Sequence, residues 1–406
     1  MRMIKRRKIL IKVKAGIFYV CIIRHRIIKK TRVIQTLPGK NMTCKKKISV
    51  LILGLLTAAG SLMTNLSAFA CTRILYVGEQ NMVATGRNMD WKEDMKSDLW
   101  IFPRGIQRQG LAGPNSINWE SRYGSVITSG YGLASTDGMN EKGLVGNLLF
   151  LAESDYGKPA PNTKVLAISL WLQYFLDNYA TVDEAVAAQQ KNPLQLVFSK
   201  IIPNGSKPTL HLSISDKTGD SAIFEYVNGK LNIYHGREYK VLTNSPVYNQ
   251  QLAINDYWKE IGGFTFLPGT NRASDRFARA SFYLDAIPKK TDPNYIGAVP
   301  GKSYDYQAVA QVMSISRAVS VPLGISIPDK PNLSSTIWRT IADQKNRIYY
   351  FDSATRPNVI WVSFDKVDFS KGAPVKKLDL QSSQTYSGEM SSYFRESKPL
   401  PFLDAL

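Results

Sequence analysis

The chain has 406 residues, 44% hydrophobic and 11% aromatic, with a formal net charge of +20; that composition supplies a buried core and excludes a disordered chain. The charge is unevenly placed. Sixteen of the 52 Lys and Arg precede Cys71 with no acidic residue among them, leaving 36 basic against 32 acidic residues over positions 71–406. That balance calls for no nucleic-acid partner, and three Cys with three His exclude a disulfide framework and a His-rich metal site.

Residues 1–41 read as a basic leader, either a dispensable segment or an over-called start upstream of Met42. Residues 42–70 read as a secretory signal peptide: Lys45, Lys46 and Lys47 precede the apolar run Ile48–Leu56, and a small-residue stretch ends in Ala68-Phe69-Ala70. The apolar run is too short to span a bilayer comfortably. The expectation is an exported protein, periplasmic or secreted, matured by a signal peptidase, with residues 71–406 as a single domain. Cutting after Ala70 makes Cys71 the first residue. Its thiol then sits beside an α-amine of pKa about 8, so nucleophile and base share one residue. The competing reading is a non-catalytic lipoprotein acylated on Cys71, although Ala68 and Phe69 fit a lipobox poorly.

In chain order, Cys71–Val77 alternates as a strand, Gly78–Asn81 turns, and Met82–Trp91 returns beside it. This hairpin brings Arg87 and Asp90 back towards Cys71. Strands are predicted at Leu99–Pro103, Val126–Thr128 and Gly143–Leu151. Val165–Gln190 reads as helical: Ile168, Trp171, Leu172, Phe175 and Leu176 fall on one face, and Thr181-Val-Asp-Glu184 forms a capping box that opens its second half. Strands follow at His211–Ser215, Ala222–Val227, Lys230–Tyr234 and Glu238–Leu242. Helices are expected at Gln250–Ile261, Ala273–Leu284 and Tyr306–Ser316. A hairpin at Thr336–Ala342 and Arg347–Phe351 and a strand at Val359–Phe364 complete the pattern. Strands, helices and strands again without βαβ alternation predict an α+β fold rich in antiparallel sheet.

Five separated motifs share a further property. Cys71, Arg87-Asn-Met-Asp90-Trp91, Asn140-Glu-Lys-Gly-Leu144, Thr243-Asn244-Ser-Pro246 and Leu267-Pro-Gly269 with Ser274-Asp-Arg276-Phe277 together resemble the choloylglycine hydrolase family of N-terminal nucleophile (Ntn) hydrolases, which includes penicillin V acylases and conjugated bile acid hydrolases. The resemblance implies a four-layer αββα sandwich of two mainly antiparallel sheets. It also implies a hydrolase of linear amide C–N bonds acting on a small N-acyl amide, with no cofactor and no metal, and family members are often homotetramers.

Carried over residue by residue, the resemblance makes Cys71 the nucleophile, sets Arg87 and Asp90 beside it, makes Asn244 an oxyanion donor and Arg276 the second arginine. A backbone N–H near Leu149 is expected as the other oxyanion donor, and Trp91 and Phe150 as walls of an apolar acyl pocket. Loss of one oxyanion donor costs about 10²–10³ in rate. The stretches Asn147–Tyr156 and Asp98–Arg104 resemble the Gram-negative branch, whose members are penicillin V acylase-like and cleave long-chain N-acyl homoserine lactones. Conjugated bile acid hydrolysis is the alternative within the family. The residues themselves leave open that Trp91 and Phe150 are ordinary core and that Arg87, Asp90 and Arg276 form a structural ion-pair network. Lys217-Thr-Gly219 reads as a polar turn, and His211 and His235 as structural or surface residues.

Overall fold

Chain order and pairing follow from where apolar alternation meets a turn. The computed structural model describes residues 71–198, 205, 207, 209–326 and 334–405; the leader and signal-peptide readings lie outside the described residues. The strands are β1 (Thr72–Val77), β2 (Val83–Trp91), β3 (Leu99–Phe102), β4 (Gln107–Gln109), β5 (Asn118–Glu120), β6 (Ser125–Gly130), β7 (Ala134–Asn140), β8 (Val145–Phe150), β9 (Val165–Ala167) and β10 (Gln195–Val197). They continue with β11 (Leu210–Ser215), β12 (Ser221–Val227), β13 (Lys230–His235), β14 (Val241–Leu242), β15 (Ser335–Asp343), β16 (Ile348–Ser353), β17 (Val359–Ser363), β18 (Lys376–Leu378), β19 (Gly388–Glu389) and β20 (Arg395–Glu396). The helices are α1 (Trp171–Asn178), α2 (Val182–Lys191), α3 (Tyr248–Ile261), α4 (Ala273–Ala286) and α5 (Tyr304–Ala318).

Two sheets dominate. One runs β14-β1-β2-β15-β16-β17-β19 and the other β13-β12-β11-β8-β7-β6-β3-β18-β20. Every pairing within them is antiparallel except β17 with β19. Helices α4 and α5 lie on β1 and β2 of the first sheet, α1 lies on β7 and β8 of the second, and the two sheets meet through β2 with β8 and β15 with β7. The result is the four-layer αββα sandwich expected from the sequence. Its apolar interior falls into two clusters, one between the sheets and under α4 and α5, the other between the second sheet and α1 and α2.

Helix α2 starts where its sequence dictates: Thr181 Oγ1 accepts the Glu184 N–H at 3.2 Å, and Glu184 Oε2 accepts the Ala180 N–H at 2.8 Å. The region before it corrects the continuous helical reading of 165–190. Val165–Ala167 is strand β9, paired in parallel with β10, and a 3₁₀ turn over Ile168–Leu170 leads into α1. Aliphatic residues with a strand partner pair rather than coil. Strands β4, β5, β7, β10 and β18 to β20 were also unread, because most are short and half-exposed, and β7 carries Asp, Gly and Asn.

Strand β2 decides the placement of the site. All nine of its residues are buried, because it lies between β1 and β15 with a sheet on one side and helices on the other. Side-chain alternation therefore sends two sets of residues to two different places. Arg87, Met89 and Trp91 face the second sheet; Gly86, Asn88 and Asp90 face the helices. A Cβ at Gly86 would lie 2.7 Å from Ser316 Oγ and 2.8 Å from a Val312 methyl of α5. Gly86→Val is expected to destabilise the protein by about 1–3 kcal/mol through overpacking, read as a lower urea midpoint with an unchanged m-value.

Candidate active site

The alternation that places β2 applies equally to Cys71 just before β1. Thr72 pairs with Asn88 and Arg73 with Arg87, so the Cys71 side chain shares the inter-sheet face with Arg87 and Met89, and Thr72 shares the helix face with Asp90. Cys71 is 2% exposed and is the free cysteine among the described residues. Its Sγ lies 3.8 Å from the Asp90 carbonyl oxygen, 3.9 Å from Arg87 Nη2 and 4.0 Å from Met89 Sδ.

The main chain of Cys71 is held from the other side. Its N–H donates to Asn244 Oδ1 at 2.5 Å, and its carbonyl accepts Arg276 Nη1 at 2.5 Å. The same Arg276 nitrogen donates to Thr72 Oγ1 at 2.5 Å, and Nη2 donates to Asn244 Oδ1 at 2.9 Å. A guanidinium only donates, so the Asn244 atom facing it must be the oxygen, and the orientation of that amide is fixed. Asn244 Nδ2 therefore points away from Arg276 and gives one proton to the Phe150 carbonyl at 2.7 Å. Its second proton is left for another acceptor.

Arg276 and Asp90 face each other fully buried, with Nη1 to Oδ2 at 3.8 Å. The other Asp90 oxygen accepts the Thr336 hydroxyl. Burial pushes the Asp90 carboxyl up to about 6, more than Arg276, Thr336 and Arg87 pull it down. Burial likewise lowers Arg276 from its ordinary value, opposed chiefly by Asp90. Arg87 donates from Nη2 to the Leu148 carbonyl at 2.7 Å and lies 4.7 Å over the Trp338 ring. Its charge is also the largest influence opposing the burial that raises the Asp137 carboxyl.

A cavity of about 90 Å³, lined almost entirely by apolar atoms, adjoins the sulfur; Cys71, Met89, Trp91, Met95, Leu148 and Phe150 are among its walls. Trp91 and Phe150 meet edge to face at 6.3 Å, and the Trp91 indole N–H donates to Tyr131 Oη at 2.7 Å. Trp91 also borders a separate cleft of about 680 Å³ reaching Trp338, Phe351 and Arg356. The larger cleft is not the one at the thiol.

Hence Cys71, Arg87, Asn244, Arg276, Trp91 and Phe150 converge, and Asp90 joins them through its carbonyl and through Arg276. Leu149 does not. It pairs with His211 in the β8–β11 ladder, and the next bond on that ladder, Leu151 N–H to Thr209 O at 3.0 Å, fixes which residues face β11. Alternation then directs the Leu149 N–H to β11, away from Cys71, while its side chain enters the inter-sheet core. The Phe150 carbonyl meets Asn244 instead. An i+1 change on a strand reverses the backbone direction, which a sequence without register cannot reveal.

Sequence reading also missed Thr72, Thr336 and the fully buried pair His211–Glu225. His211 Nδ1 lies 2.9 Å from Glu225 Oε1 and Nε2 lies 2.8 Å from the Thr243 carbonyl, next to Asn244. Glu225 Oε2 accepts the Tyr248 N–H at 3.0 Å, so the pair holds both ends of the Asn244 segment. A His and a Glu on an alternating strand pattern give the only hint of this in sequence. His235 is a partly exposed residue 2.8 Å from Asp220.

Two stacked antiparallel sheets between helical layers, with the site at the start of the hairpin β1–β2, define the Ntn hydrolase architecture. Comparison with known proteins narrows the class. The profile of the family described as linear amide C–N hydrolases, choloylglycine hydrolase family, matches residues 71–386. A penicillin V acylase of Pectobacterium atrosepticum is 48% identical over 349 residues, covering 82% of this chain and 92% of that protein. A bile salt hydrolase/transferase of Clostridium perfringens is 28% identical over 247 residues, covering 54% and 73%. The structure of a penicillin V acylase from Agrobacterium tumefaciens superposes with a TM-score of 0.73 at 51% identity, covering 82% of this chain and all of that one. A variant of the conjugated bile acid hydrolase from Clostridium perfringens gives 0.63 at 20% identity, with coverage of 79% and 98%, and shares the fold. The chain belongs to the choloylglycine hydrolase family and is a hydrolase of linear amide C–N bonds, like its penicillin V acylase relatives.

The raised Asp90 carboxyl has a signed consequence. Between its unfolded value of 3.8 and its folded value of about 6, the unfolded chain gives up the proton and the folded chain keeps it. Stability therefore falls as pH rises through that window. Relative to Asp90→Asn, wild type is expected to lose roughly 3 kcal/mol between pH 3.5 and 6.5, measured by denaturant unfolding at each pH.

Proposed function

We propose that the chain is exported, that removal of residues 1–70 frees the Cys71 amine, and that the processed enzyme is a cysteine Ntn amidohydrolase of the penicillin V acylase type, with N-acyl homoserine lactones as further substrates. The observation that carries this reading is the Cys71 site itself: thiol against an apolar cavity, nitrogen on Asn244 Oδ1 at 2.5 Å. The family match opening at Cys71 supports it.

The geometry supports the following chemistry. Asn244 Oδ1 can only accept, so it takes an N–H of the freed amine and leaves the nitrogen lone pair for the thiol proton. Arg276, on the Cys71 carbonyl, opposes a second positive charge on that nitrogen and favours the neutral base. The thiol proton passes to the amine as Sγ attacks the acyl carbon. The second Asn244 Nδ2 proton stabilises the oxyanion. Collapse breaks the C–N bond, the ammonium proton goes to the departing amine, and a Cys71 thioester remains. Water, deprotonated by the same amine, releases the acid and restores the thiol. Arg87 and Asp90 hold this arrangement from opposite faces of β2. The apolar cavity favours an aromatic or aliphatic acyl group, with Trp91 and Phe150 as its walls. Exposed Tyr257, Phe264 and Phe266 support self-association, consistent with a homotetramer.

Phenoxyacetate release from penicillin V and free-amine release from acyl homoserine lactones are expected from the processed protein, with glycine or taurine conjugates of bile acids the slower substrates. Cys71→Ala is expected to abolish turnover while leaving the fold intact; full activity in that variant contradicts the mechanism. Asn244→Ala is expected to lower kcat by about 10²–10³. Preferential hydrolysis of bile acid conjugates instead assigns the alternative activity within the family, and a diacylglyceryl adduct on Cys71 in the intact mass assigns the lipoprotein.

A further inference from the structure

The cavity beside Cys71 has one wall from an unexpected part of the chain. Leu403, from the C-terminal segment, lines it together with Leu133 and the 3₁₀-turn residues Ile168 and Ser169. The segment is tied down by its main chain. The Leu403 N–H donates to the Leu133 carbonyl at 2.8 Å, and the Leu403 carbonyl accepts the Ser169 hydroxyl at 2.6 Å. On either side, the Ala405 N–H donates to the Leu111 carbonyl at 2.8 Å, the Phe402 ring lies 6.4 Å from Phe102, and Leu400 is buried. These bonds hold the segment as a strap across the cavity, and none of them uses the Leu403 side chain.

We propose that Leu403 is a specificity-determining residue whose side-chain volume limits the length of acyl group that the cavity accepts. The inference rests on the reading of this cavity as the acyl site. An acyl group bonded to Sγ must extend into the space that Leu403 bounds, and each methylene buried there contributes about 0.8 kcal/mol, close to a fourfold change in kcat/KM. Removing the Leu403 isobutyl group lengthens the apolar space while the main-chain anchors remain, and a larger side chain shortens it. The buried Ser169 hydroxyl in this wall fixes the height of the strap through the Leu403 carbonyl.

The test is a series of N-acyl derivatives of one amine, from butanoyl to dodecanoyl, assayed with wild type, Leu403→Ala, Leu403→Trp and Ser169→Ala. For Leu403→Ala, the ratio of kcat/KM for long over short acyl groups is expected to rise about tenfold. For Leu403→Trp it is expected to fall by a similar factor. Ser169→Ala, which frees the strap on one side, is expected to flatten the length profile. Wild-type cleavage with both Leu403 variants keeping the wild-type ratio overturns the role of Leu403. Failure of wild type to cleave any member overturns the acyl-site reading and this inference with it.

Discussion

A buried guanidinium bonded to main chain and amide is the contact on which the site depends. Arg276 comes from α4, which packs against the outer face of the first sheet, and its two terminal nitrogens donate to the Cys71 carbonyl, Thr72 Oγ1 and Asn244 Oδ1, while its Nε donates to the Asn271 carbonyl at 3.1 Å. One side chain thus fixes the residue before β1, the start of β1 and the segment after β14. Taking a guanidinium out of water costs several kcal/mol. Asp90 at 3.8 Å and three good acceptors offset that cost. The contact has a second effect: because Arg276 occupies the Asn244 oxygen, it determines which end of the amide is free to act as a donor.

The sandwich turns one strand into two sets of tools. On the inter-sheet face of β2, Arg87 and Met89 lie beside the sulfur in a buried layer; on the helix face, Asp90 joins Arg276 and Thr336. Neither set needs a loop. Groups on buried strands lose little freedom when a substrate binds, and such placement preorganises a site better than mobile segments do. The desolvation that raises Asp90 is the cost of that placement and is offset in part by the Arg276 guanidinium that faces it.

Much of this was legible in the sequence. The hairpin Cys71–Trp91 was readable from alternation and a turn, and it predicts Arg87 and Asp90 near Cys71; the structure brings Arg87 to 3.9 Å of the sulfur, although it is the carbonyl of Asp90, not its carboxylate, that reaches it. The capping box at Thr181 was readable because capping is local. What failed to show was non-local. Strand β9 looked like the start of a helix because its partner β10 lies 30 residues on. A backbone N–H near Leu149 was expected at the site; that of Leu149 itself faces β11, because register is set by a strand far away in sequence. His211, set aside as structural, supports the Asn244 segment through Glu225 and Thr243, a role that only the crossing of two sheets creates.

The family assignment follows from fold, motif order and close relatives together, whereas the proposal that Cys71 is the nucleophile rests on the geometry around one sulfur. Acid-quenched mass spectrometry of the processed enzyme during turnover of penicillin V tests that claim most directly. The account predicts a peptide that begins at Cys71 and carries a phenoxyacetyl group on its thiol, lost on chase with water. A turning-over enzyme in which Cys71 is still joined to Ala70, or in which the acyl group sits on another residue, would contradict it.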